Sequence, residues 1–306
     1  MLHSTKIPEG KATMSTATQD DIAVQRPTVA EVDVFGLTHP GLVRRMNADH
    51  FLVASLHRTL HVHATSLGGG IGAQESESRG FLLLVADGVG GMAGAAEGSA
   101  RAVTSVAQHL LHATELCSQM AVAQEAEAIR TFREAVAQTH RRLLADAAAD
   151  EEGRSNATTL TMFASFWPRA FVVNVGDSRA YRYRDGALER LTTDQTYAQM
   201  MVQAGALTPA GAEKSQLKHM LWSALGSQEV VPDVLVTDVT RRGVIMLCTD
   251  GLTNHVSDDE IKSHLAACHS AESTCHALVD LALERGGQDN VTVVIGRVRN
   301  SEQQPT

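Results

Sequence analysis

The run Val85-Ala86-Asp87-Gly88-Val89-Gly90-Gly91-Met92-Ala93-Gly94 closes an apolar stretch, Leu82-Leu83-Leu84, and passes into text of helical period at Val103, Val106, Ala107, Leu110 and Leu111. It reads as a buried strand ending in a carboxylate, a glycine turn that lets the backbone approach something closely, and then a helix. A second copy of the pattern is Val244-Ile245-Met246-Leu247-Cys248-Thr249-Asp250-Gly251. A third acid stands in Gly287-Gln288-Asp289-Asn290, before the apolar run Val291-Thr292-Val293-Val294-Ile295. Any one Asp-Gly pair after a strand reads first as a turn, and spacing alone does not displace that reading. Three acids on rigid strand ends suit a hard-cation site. An oxygen-only donor set favours Mg or Mn over Zn, which recruits His or Cys.

Working outward, the chain carries Gly41-Leu42-Val43-Arg44-Arg45-Met46-Asn47-Ala48-Asp49 upstream and Asn174-Val175-Gly176-Asp177-Ser178-Arg179-Ala180 between the two Asp-Gly strands. Helices are expected over 94–113 and 120–149, the second with Ile129, Phe132, Val136 and Leu143 on one face. Short strands with turn signals at Trp167-Pro168-Arg169 and Asp185-Gly186 predict consecutive antiparallel hairpins over 157–191. Strands are also expected at 31–37, 49–56, 234–238, 244–248 and 291–298. Helices follow at 257–267, opened by the capping-box spacing of Ser257 and Glu260, and at 271–285. Between Tyr197 and Leu225 helical text is interrupted by Gly205, Pro209 and Gly211. Residues 1–30 are polar and aperiodic and read as a tail without fixed structure; 66–79, with Gly68-Gly69-Gly70, reads as a flexible excursion between strands.

The five ordered motifs, taken together, resemble the metal-dependent Ser/Thr protein phosphatases, the PPM or type 2C family, in their bacterial form. The resemblance covers about residues 32 to 298. It implies an α+β fold, a four-layer α-β-β-α sandwich of two central mixed or antiparallel sheets flanked by helices. One domain would occupy 31–298, with 195–225 a flap over the site and 299–306 a short C-terminal tail. It implies hydrolysis of phosphoserine and phosphothreonine monoesters by solvent that two Mn or Mg ions have ionised, so that no protein nucleophile is required.

Carried over position by position, the resemblance makes Asp87 the carboxylate bridging two ions, Gly88 a ligand through its backbone carbonyl, and Asp250 and Asp289 the other carboxylates of the first metal. Arg44 matches the phosphate-binding Arg, since a guanidinium fork suits two phosphoryl oxygens; read without the family it is a surface cation paired with an acid, and Arg45 is the weaker candidate. Asp49 matches an acid of the outer shell. Asp177 matches a weaker third metal site, or else caps a turn. Asn290 orients Asp289 or the phosphate, or makes an ordinary strand-entry hydrogen bond. The chain departs from the pattern at Ala48, where relatives carry Glu or Gln, at Val89 and Met92, where His is common, and at Asn156-Ala157. The first weakens the hold on the second metal; the second leaves protonation of the leaving oxygen unassigned.

Composition is compatible with this reading. With 306 residues and 43% hydrophobic content, the chain can bury a full core. A formal charge of -9 argues against a nucleic-acid partner. Arg141-Arg142 and Arg241-Arg242 read as solvated surface. Cys117, Cys248, Cys268 and Cys275 lack C-x-x-C spacing and read as reduced structural thiols. His57, His61 and His63 form the rival, Zn-like site, read against a polar hairpin face. No apolar run is long enough to span a bilayer and no secretory leader is evident, so a cytoplasmic monomer is expected, with phosphorylated proteins and a cognate Ser/Thr kinase as partners. The competing classes are a pseudophosphatase acting as a phosphoprotein-binding module and another metal-dependent phosphoester hydrolase.

Overall fold

The computed structural model describes residues 26–56, 59–60, 74–75, 80–90, 93–112, 125–150 and 156–299. Residues 1–25 of the expected tail, His57, His61 and His63, most of the 66–79 excursion, Met92, Cys117 and the 300–306 tail lie outside them.

Alternation along one strand sets the layering. In β5 (Gly80–Asp87), Leu82, Leu84 and Ala86 join one buried cluster while Leu83 and Val85 join another. A strand buried on both faces needs an apolar residue at every position, and that is why 82–86 reads as a continuous run. The even positions pack under α1 (Ala93–His112) and α2 (Glu125–Ala149), together with Val106, Phe132, Val136 and Leu143. The odd positions face the opposite sheet.

The two sheets have five strands each. One runs β1-β12-β11-β8-β9 and the other β10-β7-β6-β5-β2. Their strands are β1 (Val32–His39), β2 (Asp49–Leu56), β6 (Leu160–Phe166), β7 (Arg169–Val175), β8 (Arg179–Arg184), β9 (Ala187–Arg190), β10 (Asp233–Asp238), β11 (Val244–Cys248) and β12 (Val291–Val298); β3 (Thr59–Leu60) and β4 (Gln74–Glu75) pair separately. Every pairing is antiparallel, so the sheets are not mixed. The expected hairpins form: β6 and β7 meet at Trp167-Pro168, and β8 and β9 at Asp185 (φ 50°) and Gly186 (φ 79°), both positive as a type I′ turn requires.

Between β9 and β10 lie two short helices, α3 (Tyr197–Gln203) and α4 (Pro209–Glu213). The far face of the first sheet is covered by α5 (Asp250–Thr253), α6 (Asp258–Ala266) and α7 (Ala271–Glu284), through Leu252, Ile261, Leu265, Cys275 and Leu278. Ser257 donates to Glu260 Oε2 from its backbone N (3.0 Å) and its Oγ (2.8 Å). Three apolar clusters therefore fill three interlayer spaces, which makes the α-β-β-α sandwich. Two details differ from the sequence reading. Thr28 caps a 3-10 turn, Val29–Glu31, so the segment read as a tail is ordered at its end. Arg241, read as solvated, is largely covered and pairs with Glu31. Cys248 and Cys275 are free and buried, and burial pushes both thiols up to about 12.

Phe132 is 2% exposed and its ring lies 5.1 Å from that of Phe171. Truncating it leaves a void between helix and sheet, so Phe132→Ala should cost about 3–5 kcal/mol, measured as a lower urea midpoint at unchanged slope. A loss below about 1 kcal/mol would mean that this helix does not close the core.

Candidate metal centre

The inter-sheet face changes character at one end. On β5 the parity that sends Leu83 and Val85 between the sheets sends Asp87 there too, and on β2 the parity of Phe51 and Val53 does the same for Asp49. Those two acids are direct partners in the ladder. From the opposite sheet, Thr249 continues the inward parity of Ile245 and Leu247, and Thr292 that of Val294. A seam that is apolar through the middle of the sandwich thus ends in carboxylates and hydroxyls.

Asp49 is 3% exposed. Its Oδ2 accepts from Thr249 Oγ1 at 2.8 Å and from Thr292 Oγ1 at 2.7 Å. Its Oδ1 is buried and has no hydrogen-bond partner among the described residues. Burial pushes its carboxyl up to about 7, against the lowering effect of the two threonines. Asp87, at the end of β5, is held by backbone rather than by its carboxylate: its N donates to Thr159 Oγ1 (2.9 Å), and its O accepts from Thr159 N and Thr158 Oγ1 at 2.8 Å each. Burial, then the charges of Asp49, Asp250, Asp177 and Asp289, raise Asp87 well above the ordinary carboxylate range.

Asp250 does not end a strand, as the sequence pattern implied; with Thr249 as N-cap it opens the one-turn helix α5. Asn254 Nδ2 donates to its Oδ2 at 3.0 Å, and His219 Nδ1 lies 4.0 Å from the same oxygen. Burial and the charge of Asp289 raise its pKa. Gly88 and Gly251 are sterically required, since a Cβ would fall 2.3 Å from the Ala95 carbonyl oxygen and 1.9 Å from that of Asn290. Asp177 follows Gly176 (φ 100°) and is raised by burial and by Asp250.

Asp87, Gly88, Asp177, Asp250, Asp289 and Arg44 all line one open cleft of about 1060 Å³. Arg44 is turned onto Asp289, Nε to Oδ1 at 2.9 Å and Nη2 to Oδ2 at 2.7 Å, the acid-paired arrangement that the family-free reading allowed. That fork and the acids Asp87 and Asp250 raise its pKa. Asn290 holds Asp289 through its backbone, whose N donates to Asp289 Oδ1 at 2.9 Å, while its side-chain amide turns elsewhere. Its Oδ1 accepts from Ala48 N (2.8 Å) and its Nδ2 donates to the carbonyls of Pro40 and Met46 (2.9 Å each), stapling the loop that bears Arg44. Ala48 is buried, and its carbonyl takes Ser99 Oγ (2.6 Å) and Gly88 N (3.1 Å).

Among the described residues no three acid, His or Cys side chains already share one coordination sphere. The donor set nevertheless fits a hard cation: the acids facing the cleft carry oxygen only, Asp87, Asp177 and Asp250 are raised by burial and by neighbouring acids, and a carboxylate oxygen of Asp49, the ladder partner of Asp87, is buried and unsatisfied. The sequence reading missed Thr249 and Thr292, whose strand parity could have revealed them. It also missed Lys218 and His219, two adjacent basic side chains late in the interrupted helical stretch that line the cleft.

A profile described as Protein phosphatase 2C matches residues 71–284. The Serine/threonine protein phosphatase PstP of Mycobacterium tuberculosis is similar at 36% identity over 217 residues, 71% of this chain and 40% of that protein. The chain thus spans about two fifths of that relative's length. The crystal structure of the Mycobacterium tuberculosis serine/threonine phosphatase PstP/Ppp superposes with a TM-score of 0.70 at 27% identity, covering 88% of this chain and 99% of that one. The catalytic domain of PstP in complex with 2 manganese ions gives a TM-score of 0.64 at 26% identity, over 88% and 99%.

The raised pKa of Asp49 has a sign that can be tested. The unfolded carboxyl titrates near 3.8 and the folded one near 7, so in that window the folded chain holds the extra proton and stability falls as pH rises. Chelator-treated protein should lose thermal stability between those pH values, and Asp49→Asn should flatten part of that slope in a melting series. An identical slope in the variant would remove Asp49 from the buried acid cluster.

Proposed function

Because this chain belongs to the protein phosphatase 2C family, we propose that it hydrolyses phosphoserine and phosphothreonine monoesters in proteins, with two Mn or Mg ions held at the end of the inter-sheet seam. The observation that carries the reading is the convergence of Asp87 from the end of β5, Asp250 from the first turn of α5 and Asp289 from the entry to β12 on one cleft that Arg44 also lines. Asp87, Asp250 and Asp289 would hold the ions with the Gly88 carbonyl, Asp49 would brace them from behind, and Asp177 would serve a third, weaker site. Bound there, the cations supply positive charge to phosphoryl oxygens and lower the pKa of solvent.

The remaining work belongs to the chain's own groups. Arg44 offers a planar fork that matches two phosphoryl oxygens as well as it matches Asp289, so a substrate phosphate competes for the guanidinium that the carboxylate now holds. The staple through Asn290 keeps the Arg44 loop in reach during that exchange. The Thr249 and Thr292 hydroxyls fix the Asp49 carboxylate through one oxygen and leave the other buried without a hydrogen-bond partner among the described residues. Phosphorylated Ser/Thr proteins and a Ser/Thr kinase that makes them are the implied partners. Among the described residues no helix is long and apolar enough to cross a membrane.

A phosphoprotein-binding module without turnover is the second reading, favoured by buried Ala48, which brings no carboxylate to the second ion. Phosphothreonine-peptide hydrolysis titrated with Mn and then with chelator separates the two. Metal-dependent turnover is expected, and binding without turnover across Mn, Mg and pH would select the module. Asp250→Asn should lower kcat by about a hundredfold or more with unchanged circular dichroism. Arg44→Ala should lower kcat/KM on phosphopeptides by about a hundredfold, the scale of one lost donor to a developing oxyanion. Full activity in the Asp250 variant would take the acid cluster out of the mechanism.

A further inference from the structure

The cleft is larger than a phosphoryl group needs, and its wall is not uniformly polar. Its volume of about 1060 Å³ lies at the upper end of what holds a drug-sized ligand, so several residues of a peptide fit around the phosphate. Among the residues lining it are three large apolar side chains left exposed: Met46 at 49%, Val89 at 36% and Met220 at 52%. Scattered single apolar residues on a surface need no account. These three share one cavity with the candidate metal centre, and each is presented by backbone that is pinned.

Met46 gives its carbonyl to Asn290 Nδ2 at 2.9 Å. The Val89 N donates to the Ala157 carbonyl at 2.8 Å. Met220 ends the 3-10 turn Gln216–His219; its N donates to the Leu217 carbonyl at 3.2 Å, its carbonyl accepts from Tyr197 N at 2.9 Å, and the next residue, Leu221, bridges Thr196. The fold thus fixes the main chain of all three while leaving their side chains to face solvent. Beside them in the same cleft stand Arg44, Arg45, Lys218 and His219. Exposed methionine and valine lining the same cleft as four basic residues and a set of acids suited to cations complement a ligand that is anionic at one point and apolar next to it. Methionine suits such a wall because its unbranched, polarisable chain adapts to different apolar partners.

Resting on the phosphatase reading above, we infer that the cleft selects phosphopeptides in which a large apolar residue adjoins the phosphorylated Ser or Thr, with Met220 the principal specificity-determining residue and Met46 and Val89 completing the contact. The phosphate takes the cations, and the neighbouring side chain covers the apolar wall.

The test uses the full chain with Mn and four phosphothreonine peptides of equal length and charge, with Leu or Ser placed on either side of the phosphothreonine. For the unmodified chain, kcat/KM should favour Leu over Ser on at least one side by about tenfold, equivalent to about 1.4 kcal/mol. Met220→Gln, an exposed position, should bring that ratio close to one, and Val89→Thr should lower it by a smaller factor. Hydrolysis of p-nitrophenyl phosphate by the unmodified chain reports on the phosphatase reading separately. Equal use of Leu and Ser peptides by a chain that hydrolyses p-nitrophenyl phosphate overturns the inference and leaves that reading standing. A preference that survives both substitutions overturns it as well. Sedimentation in which Met220→Gln dissolves a dimer would assign the wall to a second copy instead. Absence of all turnover would fell the phosphatase reading and the inference with it.

Discussion

Asp49 is clamped by two hydroxyls that come from the other sheet, Thr249 Oγ1 at 2.8 Å and Thr292 Oγ1 at 2.7 Å, and the rest of the site depends on that clamp. The three residues lie where two five-stranded sheets meet face to face, so the bonds act across the sandwich and not along a ladder. A carboxylate with 3% exposure is costly to ionise in an apolar seam. Two hydroxyl donors offset part of that cost on one oxygen only. The other oxygen is left in the interior with no hydrogen-bond partner among the described residues, on the strand that pairs with Asp87.

Strand parity explains why the acids meet. Each contributing strand alternates between a helix-facing and a sheet-facing row, and Asp49, Asp87, Thr249 and Thr292 all stand on the sheet-facing row at the same end. A slip of one residue in any of these strands would turn its polar tip toward the helices. The register is fixed by the apolar rows behind, such as Leu83 and Val85 on β5 or Leu247 on β11, which cannot exchange faces without exposing the core. The middle of the sandwich therefore positions its end. Burial, and after it the charges of Asp49, Asp250, Asp177 and Asp289, raise Asp87 well above its ordinary pKa, and packing several residues away sustains both.

Much of this was legible in the sequence because periodicity is a local property. The runs at 82–86, 244–248 and 291–295 announce strands buried on both faces, and the glycines at 88 and 251 announce close backbone contact, which the structure explains by the Ala95 and Asn290 carbonyl oxygens. The family resemblance supplied the layering. What stayed hidden depends on contacts across long chain separations. Nothing near Asn290 indicates that its amide would staple Pro40, Met46 and Ala48, some 240 residues earlier. Likewise Asp250 follows an apolar run and looks like a strand tip, but Thr249 N-caps a helical turn there, which only the path of the following chain decides. Arg241 looked solvated because its partner Glu31 lies at the other end of the sequence.

Arg44 ties these threads together. Its loop is anchored at Leu42, whose N donates to the Gly287 carbonyl at 2.7 Å, and at Met46 through Asn290, so both anchors belong to the segment that carries Asp289. Guanidinium and carboxylate are thereby delivered to the same place by one local assembly, independent of β5 and β11. The fork between them is half exposed, with 48% and 36% of the two side chains accessible, and such a pair is worth little as a stabiliser. Its geometry matters more than its energy. An exposed bidentate pair can open at small cost, and under the proposed function that one movement would free the cation for an anionic ligand and the carboxylate for a metal ion. A more deeply covered pair in that position, like Arg179 with Asp194 at 18% and 14% exposure, would resist the exchange.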